Sequence, residues 1–323
     1  MRNILITCAG RRVALLRAFE MELQKLGLDA DVYAADMVPD LSSACAISKK
    51  FFKISSVIED FYIDELLLIV KKNNIGILIP TIDTELEILA KNKDYFMRLG
   101  CHVIISDLEF IKICNDKRNT QKLFKELEFE TPIIYSKDKL VYPYFVKPFD
   151  GSRTLETHIV LNESEMEKEY LSNPKNIFQE YINPVDFYEI TVDAYYDKDS
   201  IIKCAIPRKR LEVRDGEVSK GITIRKIYYN QLLSGLSKIT GAKGCINVQF
   251  FVKKDSEDRI LGSEINPRFG GGFPLSYAAG GNIPKWIIME YLLNEKTEYF
   301  DKWQQNKLML RYDEAIFIDD YKG

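Results

Sequence analysis

The chain has 323 residues, 46% of them hydrophobic and 29% charged, with 11 prolines and 17 glycines, a composition that excludes a disordered or collagen-like chain and leaves room for two or three subdomains. Lys plus Arg number 45 and Asp plus Glu 48, for a formal charge of −3, so no global positive field gathers nucleic acid or an anionic membrane. Six cysteines without a CxxC pair and only two histidines, His102 and His158, support neither a disulfide framework nor a zinc site.

Residues 4–9 are apolar until Arg11 and Arg12 interrupt them, a run too short for a signal-peptide core, and no later run reaches membrane-spanning length. A cytoplasmic protein is expected. Residues 4–7 read as a buried strand; Val13, Leu15, Leu16, Phe19, Leu23 and Leu26 then recur at helical spacing up to Gly27, where a helix C-terminal glycine belongs. Residues 32–35 give a second strand ending at Asp36, 58–70 a helix, 75–79 a strand, 86–99 a helix ending at Gly100, and 103–105 a fourth strand. This alternation predicts an α/β domain with a doubly wound parallel sheet. Such sheets take ligands at strand C-terminal ends, so Asp83 and Glu85, in the run Pro80-Thr81-Ile82-Asp83-Thr84-Glu85, are candidates for binding an amine. Helix capping by Asp83 or Thr84 is the more ordinary explanation.

From Glu109 the texture changes. Two helical segments flank Asn115-Asp116-Lys117, Thr131-Pro132 ends the second, and an extended stretch leads to Tyr144-Phe145-Val146-Lys147-Pro148. A boundary is placed between residues 106 and 112. Strand-like runs follow at 177–182, 189–196, 201–207, 245–252 and 260–265, with helices near 163–171 and 228–239, which reads as α+β with antiparallel sheet. Trp286, Ile287, Ile288, Tyr291, Leu292 and Leu293 form an apolar helix suited to the core or to a homodimer contact.

Three elements carry chemistry. In Ser263-Glu264-Ile265-Asn266-Pro267-Arg268, residues two apart share a strand face at about 6.6 Å, so Glu264 and Asn266 project together. The run 246–251 alternates likewise, putting Asn247 and Gln249 on one face, and the turn 253–259 makes the two runs hairpin partners. Carboxylate and amide oxygens with no soft donor nearby suit Mg²⁺, and Arg268 adds a fixed charge for a phosphoryl group. The following Gly270-Gly271-Gly272 lets the backbone approach a ligand or take positive φ. Second, an apolar strand ends at Lys147 and is followed by a turn at Gly151-Ser152-Arg153-Thr154, an ammonium and free amides for phosphate oxygens. Third, Phe178-Gln179-Glu180-Tyr181-Ile182-Asn183-Pro184 is an extended segment whose backbone groups can bind a flat base, and Glu189 starts the next strand within reach of a ribose. Each element alone also has a plain reading: an exposed strand, a tight turn, an edge strand. No GxxxxGK[ST] or GxGxxG fingerprint is present.

Together and in this order, the three elements resemble the ATP-grasp superfamily, specifically the branch that looks like the carbamoyl phosphate synthetase large subunit. Asn247-Val248-Gln249-Phe250, followed by Glu264-Ile265-Asn266-Pro267-Arg268, is the most specific part. The resemblance covers most of the chain and implies a small α/β domain over residues 1–108, a first grasp part with the nucleotide-binding small lobe over 109–182, and a C-terminal lobe with the metal site over 183–323. It implies that Lys117 and Lys147 contact nucleotide phosphates, that Gln179, Glu180 and Ile182 form the adenine hinge, and that Glu189 holds the ribose. It further implies that Gln249, Glu264 and Asn266 hold Mg²⁺, with Mn²⁺ as an alternative, and that Arg268 stabilises the transferring phosphoryl group. Two departures stand out: only Gly151 follows Lys147 where relatives carry several glycines, and 323 residues supply one half of a two-half enzyme.

The expected activity is ATP-dependent ligation of a small-molecule carboxylate to an amine through an acyl phosphate, giving an amide, ADP and phosphate, with no nucleic-acid or membrane partner. The acceptor subsites are expected on the loop 207–220, with Arg210 and Lys220 as carboxylate ligands against the alternative of a solvated hairpin tip. Two other readings are a kinase that stops at the acyl phosphate and a non-catalytic ATP-binding regulator.

Overall fold

The computed structural model describes residues 2–151, 157–214, 216–319 and 321. The N-terminal sheet contains β1 (Asn3–Ile6), β2 (Val32–Asp36), β3 (Phe51–Lys53), β4 (Ile75–Ile79) and β5 (His102–Val103), in the order β3-β2-β1-β4-β5. Every pairing is parallel. The connecting helices are α1 (Val13–Lys25), α2 (Ser43–Ile47), α3 (Tyr62–Lys72) and α4 (Asp83–Arg98). The central strands β1 and β4 are apolar because both faces are covered. Ile4, Ile6, Ile77 and Ile79 pack in one core with Leu16 and Phe19 of α1, whereas Leu5, Ile75 and Leu78 pack in another with Leu66 of α3 and Leu86 of α4. The doubly wound sheet expected from the sequence is therefore present; α2 and β3, too short to show a period, had no counterpart in the sequence reading.

Helix α4 begins three residues before the expected position 86, because its first turn is polar and carries the cap. Glu85 is fully buried. It accepts hydrogen bonds from the amides of Thr81 at 2.8 Å and Ile82 at 3.3 Å, from Thr7 Oγ1 at 2.8 Å and from Tyr62 Oη at 2.9 Å. Burial pushes its carboxyl up, against these four donors. Glu85 is thus a buried capping residue with no free oxygen, which corrects its reading as an amine ligand. Glu85→Ala is expected to destabilise the fold by about 2–4 kcal/mol, since it strands buried donors; a loss below about 1 kcal/mol in urea unfolding would contradict this.

The chain continues through α5 (Leu108–Asn115) and α6 (Lys117–Glu126), the latter capped by Asp116, whose side chain accepts from the Arg118 amide at 2.9 Å. A four-stranded sheet follows, ordered β6-β9-β7-β8, from β6 (Ile134–Tyr135), β7 (Tyr144–Pro148), β8 (His158–Val160) and β9 (Asn176–Glu180), with α7 (Lys168–Ser172) before β9. The third sheet is ordered β14-β13-β10-β11-β12-β15, from β10 (Phe187–Tyr196), β11 (Ile202–Arg214), β12 (Glu217–Thr223), β13 (Gly244–Lys253), β14 (Ile260–Asn266) and β15 (Leu308–Leu310). Between these strands lie α8 (Tyr229–Leu236), α9 (Phe273–Ala278) and α10 (Ile283–Tyr291). Both later sheets are antiparallel. Trp286, Ile287 and Ile288 of α10 are buried in the core shared with β1 and α1. The apolar helix near the C-terminus therefore joins the lobes of one chain, and its buried face is not available to a second copy.

Strand β11 does not stop at Pro207. The Pro207 carbonyl accepts from the Ile224 amide at 3.0 Å, so its donorless nitrogen faces that same side and costs no rung to β10. Residues 207–220 are consequently a hairpin, β11 paired with β12, in keeping with the hairpin alternative for this run; Asp215 lies outside the described residues.

Candidate active site

The four-stranded and six-stranded sheets face each other across a cavity of about 270 Å³, near the lower end of the roughly 300–1,000 Å³ usual for ligand clefts. One end is walled by Pro132, Phe145, Ile182 and Phe251, with Gln179, Glu180 and Tyr181 at its edge. The other end gathers Lys117, Lys147, Gln249 and Glu264. An apolar slot continuous with two ammonium groups and an oxygen-rich face can take a flat ring at one end and a polyanion at the other.

The strands explain how each side chain arrives there. In β7, Tyr144 and Val146 are buried on one face, which turns Phe145 and Lys147 toward the cavity by the period of two. Strand β9 pairs with β6 and β7 through Gln179. It ends at Glu180, whose amide donates to the Ile133 carbonyl at 2.7 Å and whose side chain accepts from the Ile133 amide at 3.2 Å. Tyr181 and Ile182 continue along the cavity wall. Glu189, on β10, also lines the cavity and pairs with Arg210 Nη1 at 2.5 Å.

On the facing sheet Gln249 stands opposite Glu264, and Asn247 opposite Asn266, as the alternation requires. Val248, Phe250 and Ile265 occupy the core behind them. The register slips once: Gln249 pairs with Glu264 but Phe250 with Gly262, leaving Ser263 as a bulge. This is why Ile260 and Ile265, five residues apart, reach the same core. The bulge is held at Gly262, whose amide donates to the Glu130 carbonyl at 2.8 Å and where an added Cβ would lie 2.3 Å from the Phe124 ring.

Burial, aided by the neighbouring Lys117 charge and opposed by Glu264, lowers the Lys147 ammonium to about 8. Lys117 is also lowered, by burial first, against Glu264, Asp150, Asp116 and Asp83; its Nζ donates to the Gly151 carbonyl. The remainder of the turn after Gly151, residues 152–156, lies outside the described residues. Two adjacent buried ammonium groups are chemically suited to a polyanion. If Lys147 holds a nucleotide phosphate, as the resemblance implies, it does so protonated, and ATP affinity of the free protein is expected to fall with pH above about 8, approaching tenfold per unit. Lys147→Arg, which stays charged, should flatten that profile between about pH 7 and 9.5; a wild-type affinity constant over this interval, by equilibrium dialysis, would contradict the assignment.

Arg268 lies off the cavity wall. Its Nη2 donates to Asp83 Oδ2 at 2.6 Å and to Asn266 Oδ1 at 3.4 Å, and its Nη1 to the Phe269 carbonyl at 3.1 Å. Asp83, expected as an amine ligand or helix cap, therefore holds Arg268. Lys220 donates to Glu212 Oε2 at 2.6 Å on the outer hairpin and does not line the cavity, which corrects its reading as a carboxylate ligand; Arg210 lines the cavity, paired with Glu189. The three glycines also act differently from expectation. None of Gly270, Gly271 and Gly272 has positive φ, and a Cβ on each would meet Asn247, Glu217 and Arg208 at 2.7, 2.9 and 2.1 Å. Gly271 makes room for Glu217, and Gly270 and Gly272 for a buried polar cluster that the sequence pattern does not announce. Asp193 accepts from Arg208 Nε at 3.1 Å, Asn247 Nδ2 at 2.5 Å and Ser276 Oγ at 2.5 Å. Its trace in the sequence is Asp193 continuing the alternation of Glu189 and Thr191 along one face of β10.

Residues 4–104 match the family described as PylC-like, N-terminal domain, and residues 174–314 the family described as ATP-grasp in the biosynthetic pathway with Ter operon. No curated protein matches the chain in sequence. Among solved structures, the biotin carboxylase domain of Hydrogenobacter thermophilus 2-oxoglutarate carboxylase, in complex with MgADP, ADP and bicarbonate, superposes with a TM-score of 0.72 at 17% identity, over 95% of this chain and 73% of that one. N5-carboxyaminoimidazole synthetase from Staphylococcus aureus, complexed with ADP, gives 0.65 at 16% identity over 96% and 80%. L-amino acid ligase from Bacillus licheniformis gives 0.66 at 15% identity over 90% and 74%. Against pyruvate carboxylase from Rhizobium etli the TM-score is 0.66 at 13% identity, and this chain spans 27% of that one. Likeness at these identities is one of fold, and it is the two-lobed architecture expected from the sequence. Among the described residues no helix is long and apolar enough to cross a membrane.

Proposed function

We propose that this chain, which has the ATP-grasp fold, is an ADP-forming ligase that activates a carboxylate as an acyl phosphate and joins it to an amine. The observation that carries the reading is the convergence of Lys147 and Lys117 with Gln249 and Glu264, from facing lobes, on one cavity with an apolar end. Adenine would lie between Phe145, Ile182 and Phe251 and read the backbone at Glu180 and Ile182, with the ribose at Glu189. Phosphates would meet Lys147 and Lys117. The fold relatives described with ADP or MgADP support nucleotide use of this kind.

The donor set fits magnesium. Glu264 supplies one carboxylate, Gln249 and Asn266 supply amide oxygens, and no cluster of three His, Cys, Asp or Glu exists among the described residues to favour a softer ion. When bound, Mg²⁺ or Mn²⁺ neutralises charge on the phosphate oxygens and orients them. Lys147 and Arg268 then have complementary work: Lys147 holds the leaving diphosphate from one lobe, and Arg268, braced by Asp83, stands on the other side for the phosphoryl group in transfer.

A carboxylate oxygen attacks the γ-phosphorus, the bond to the bridging oxygen breaks, and ADP leaves with that electron pair. The amine nitrogen attacks the acyl carbon and loses a proton, and the carbon–oxygen bond breaks to release phosphate. No covalent protein nucleophile is needed, in keeping with two histidines and no triad. The test is ADP release by purified protein over panels of carboxylates and amines. Turnover that needs both supports ligation; ADP formed with a carboxylate and no amine requirement makes the protein a kinase, and nucleotide binding with no turnover makes it a regulator.

A further inference from the structure

The N-terminal sheet reverses direction beside β1. The chain builds β2 and β3 on one side and returns to β4 on the other, and open sheets of this kind take ligands in the crevice outside the strand carboxyl ends at that point. The bordering loops are fixed. Thr81 Oγ1 donates to the carbonyls of Thr7 at 2.9 Å and Cys8 at 2.7 Å, and the Gly10 amide donates to Asp36 Oδ2 at 2.8 Å. Cys8 and Gly10 take φ of 49° and 45° to make the turn. The turn delivers Arg12 at the start of α1, across from Asp83 at the start of α4.

Three guanidinium groups border this crevice. Arg12 lies 3.7 Å from one Glu217 oxygen, Arg311 lies 3.0 Å from the other, and Arg268 reaches Asp83 at 2.6 Å. Glu217 is shared by Arg12 and Arg311, so these two guanidiniums have one carboxylate between them. Their donors are also under-used: the Arg12 side chain is only 21% exposed yet makes no hydrogen bond among the described residues, and Arg268 Nε is buried without a partner among them. Idle buried donors cost free energy unless a ligand completes them. Burial, with Arg268 and Arg311, disfavours the Arg12 cation, against Glu217 and Asp83. Arg268 reaches both Asp83 at 2.6 Å and Asn266 at 3.4 Å, and Asn266 lies two residues along β14 from the cavity-lining Glu264, so crevice and cavity adjoin.

We propose that this crevice is the acid subsite and that the acid carries a second anionic group, a further carboxylate or a phosphate. The carboxylate to be activated lies toward Arg268 and Glu264, and the second anion is read by Arg12 and Arg311, displacing part of the hold of Glu217. The inference rests on the ligase reading above and narrows it to polyacidic substrates.

Calorimetric titration tests it, with and without saturating MgADP, at constant ionic strength, using propionate, tricarballylate and 3-phosphoglycerate as probes. Tricarballylate or 3-phosphoglycerate should bind at least about tenfold tighter than propionate, and which of the two leads identifies the second anion as carboxylate or phosphate. Arg12→Gln and Arg311→Gln should each cut that advantage to about threefold or less, while Arg12→Lys keeps most of it. Folding is checked by thermal melts, and MgADP affinity should stay within about twofold in all three variants, since neither arginine lines the nucleotide cavity. Equal binding of the three probes, no binding by any, or a preference that survives Arg12→Gln would overturn the proposal. Wild-type protein that prefers tricarballylate yet fails to bind MgADP would instead sink the nucleotide reading.

Discussion

Glu264→Ala is expected to abolish turnover, by about a thousandfold or more in kcat, while leaving the fold intact. Glu264 is the sole carboxylate among the three proposed metal ligands, and removing it takes away the charge that makes a hard cation prefer this strand face over water. Its side chain accepts no hydrogen bond from the chain among the described residues and faces the cavity, so its loss strands no donor. Thermal unfolding should move by no more than about 2 °C. Glu264→Gln separates charge from shape: it keeps the strand packing and should be nearly as inactive. Activity within about threefold of wild type in either variant would remove the metal assignment.

Lys147→Ala has the second largest expected effect, about a hundredfold or more in kcat/KM for ATP, with an unusual companion. Lys147 is a cation made uncomfortable by burial and by Lys117. A lysine whose folded-state value lies below its ordinary one binds fewer protons than the unfolded chain between those values, so it destabilises the fold at neutral pH and ceases to do so as pH rises through about 8 toward the ordinary 10.5. The nucleotide-free Lys147→Ala protein should therefore be at least as stable as wild type at pH 7, and its relative advantage should shrink as the pH rises. A variant that loses activity because it unfolds would show the opposite order of melting temperatures. Adding MgADP should reverse the ranking, because wild type gains more from the ligand.

Much of this was legible because strands have a period of two. Glu264 and Asn266 on one face, Gln249 beside them and Val248 and Phe250 behind them follow from alternation and a hairpin-length turn; the strands pair in that register, with Gln249 and Glu264 on the cavity and Asn266 buried off its wall against Arg268. The parallel N-terminal sheet was legible from apolar runs and glycine-terminated helices. What escaped was set by tertiary partners. The Ser263 bulge depends on Phe124 crossing Gly262. Pro207 reads as a strand end, but the side of the sheet its nitrogen faces decides the matter. Glu85 looks like an exposed acid beside a turn until Tyr62 and Thr7 close over it. Gly270, Gly271 and Gly272 read as a ligand-approach loop, whereas Arg208, Asn247 and Glu217, distant in sequence, fill the space their missing side chains leave. The Arg268–Asp83 pair spans 185 residues, and no local pattern announces it.

A single magnesium-nucleotide is expected to bridge the two lobes at these residues. A crystal structure with Mg²⁺ and a non-hydrolysable ATP analogue should show a metal at about 2.0–2.2 Å from Glu264 and an amide oxygen of Gln249 or Asn266, with the Lys147 ammonium on a phosphate oxygen and the base between Phe145 and Ile182. Nucleotide bound outside the cavity, or phosphates that leave both Glu264 and Lys147 without contact, would contradict it.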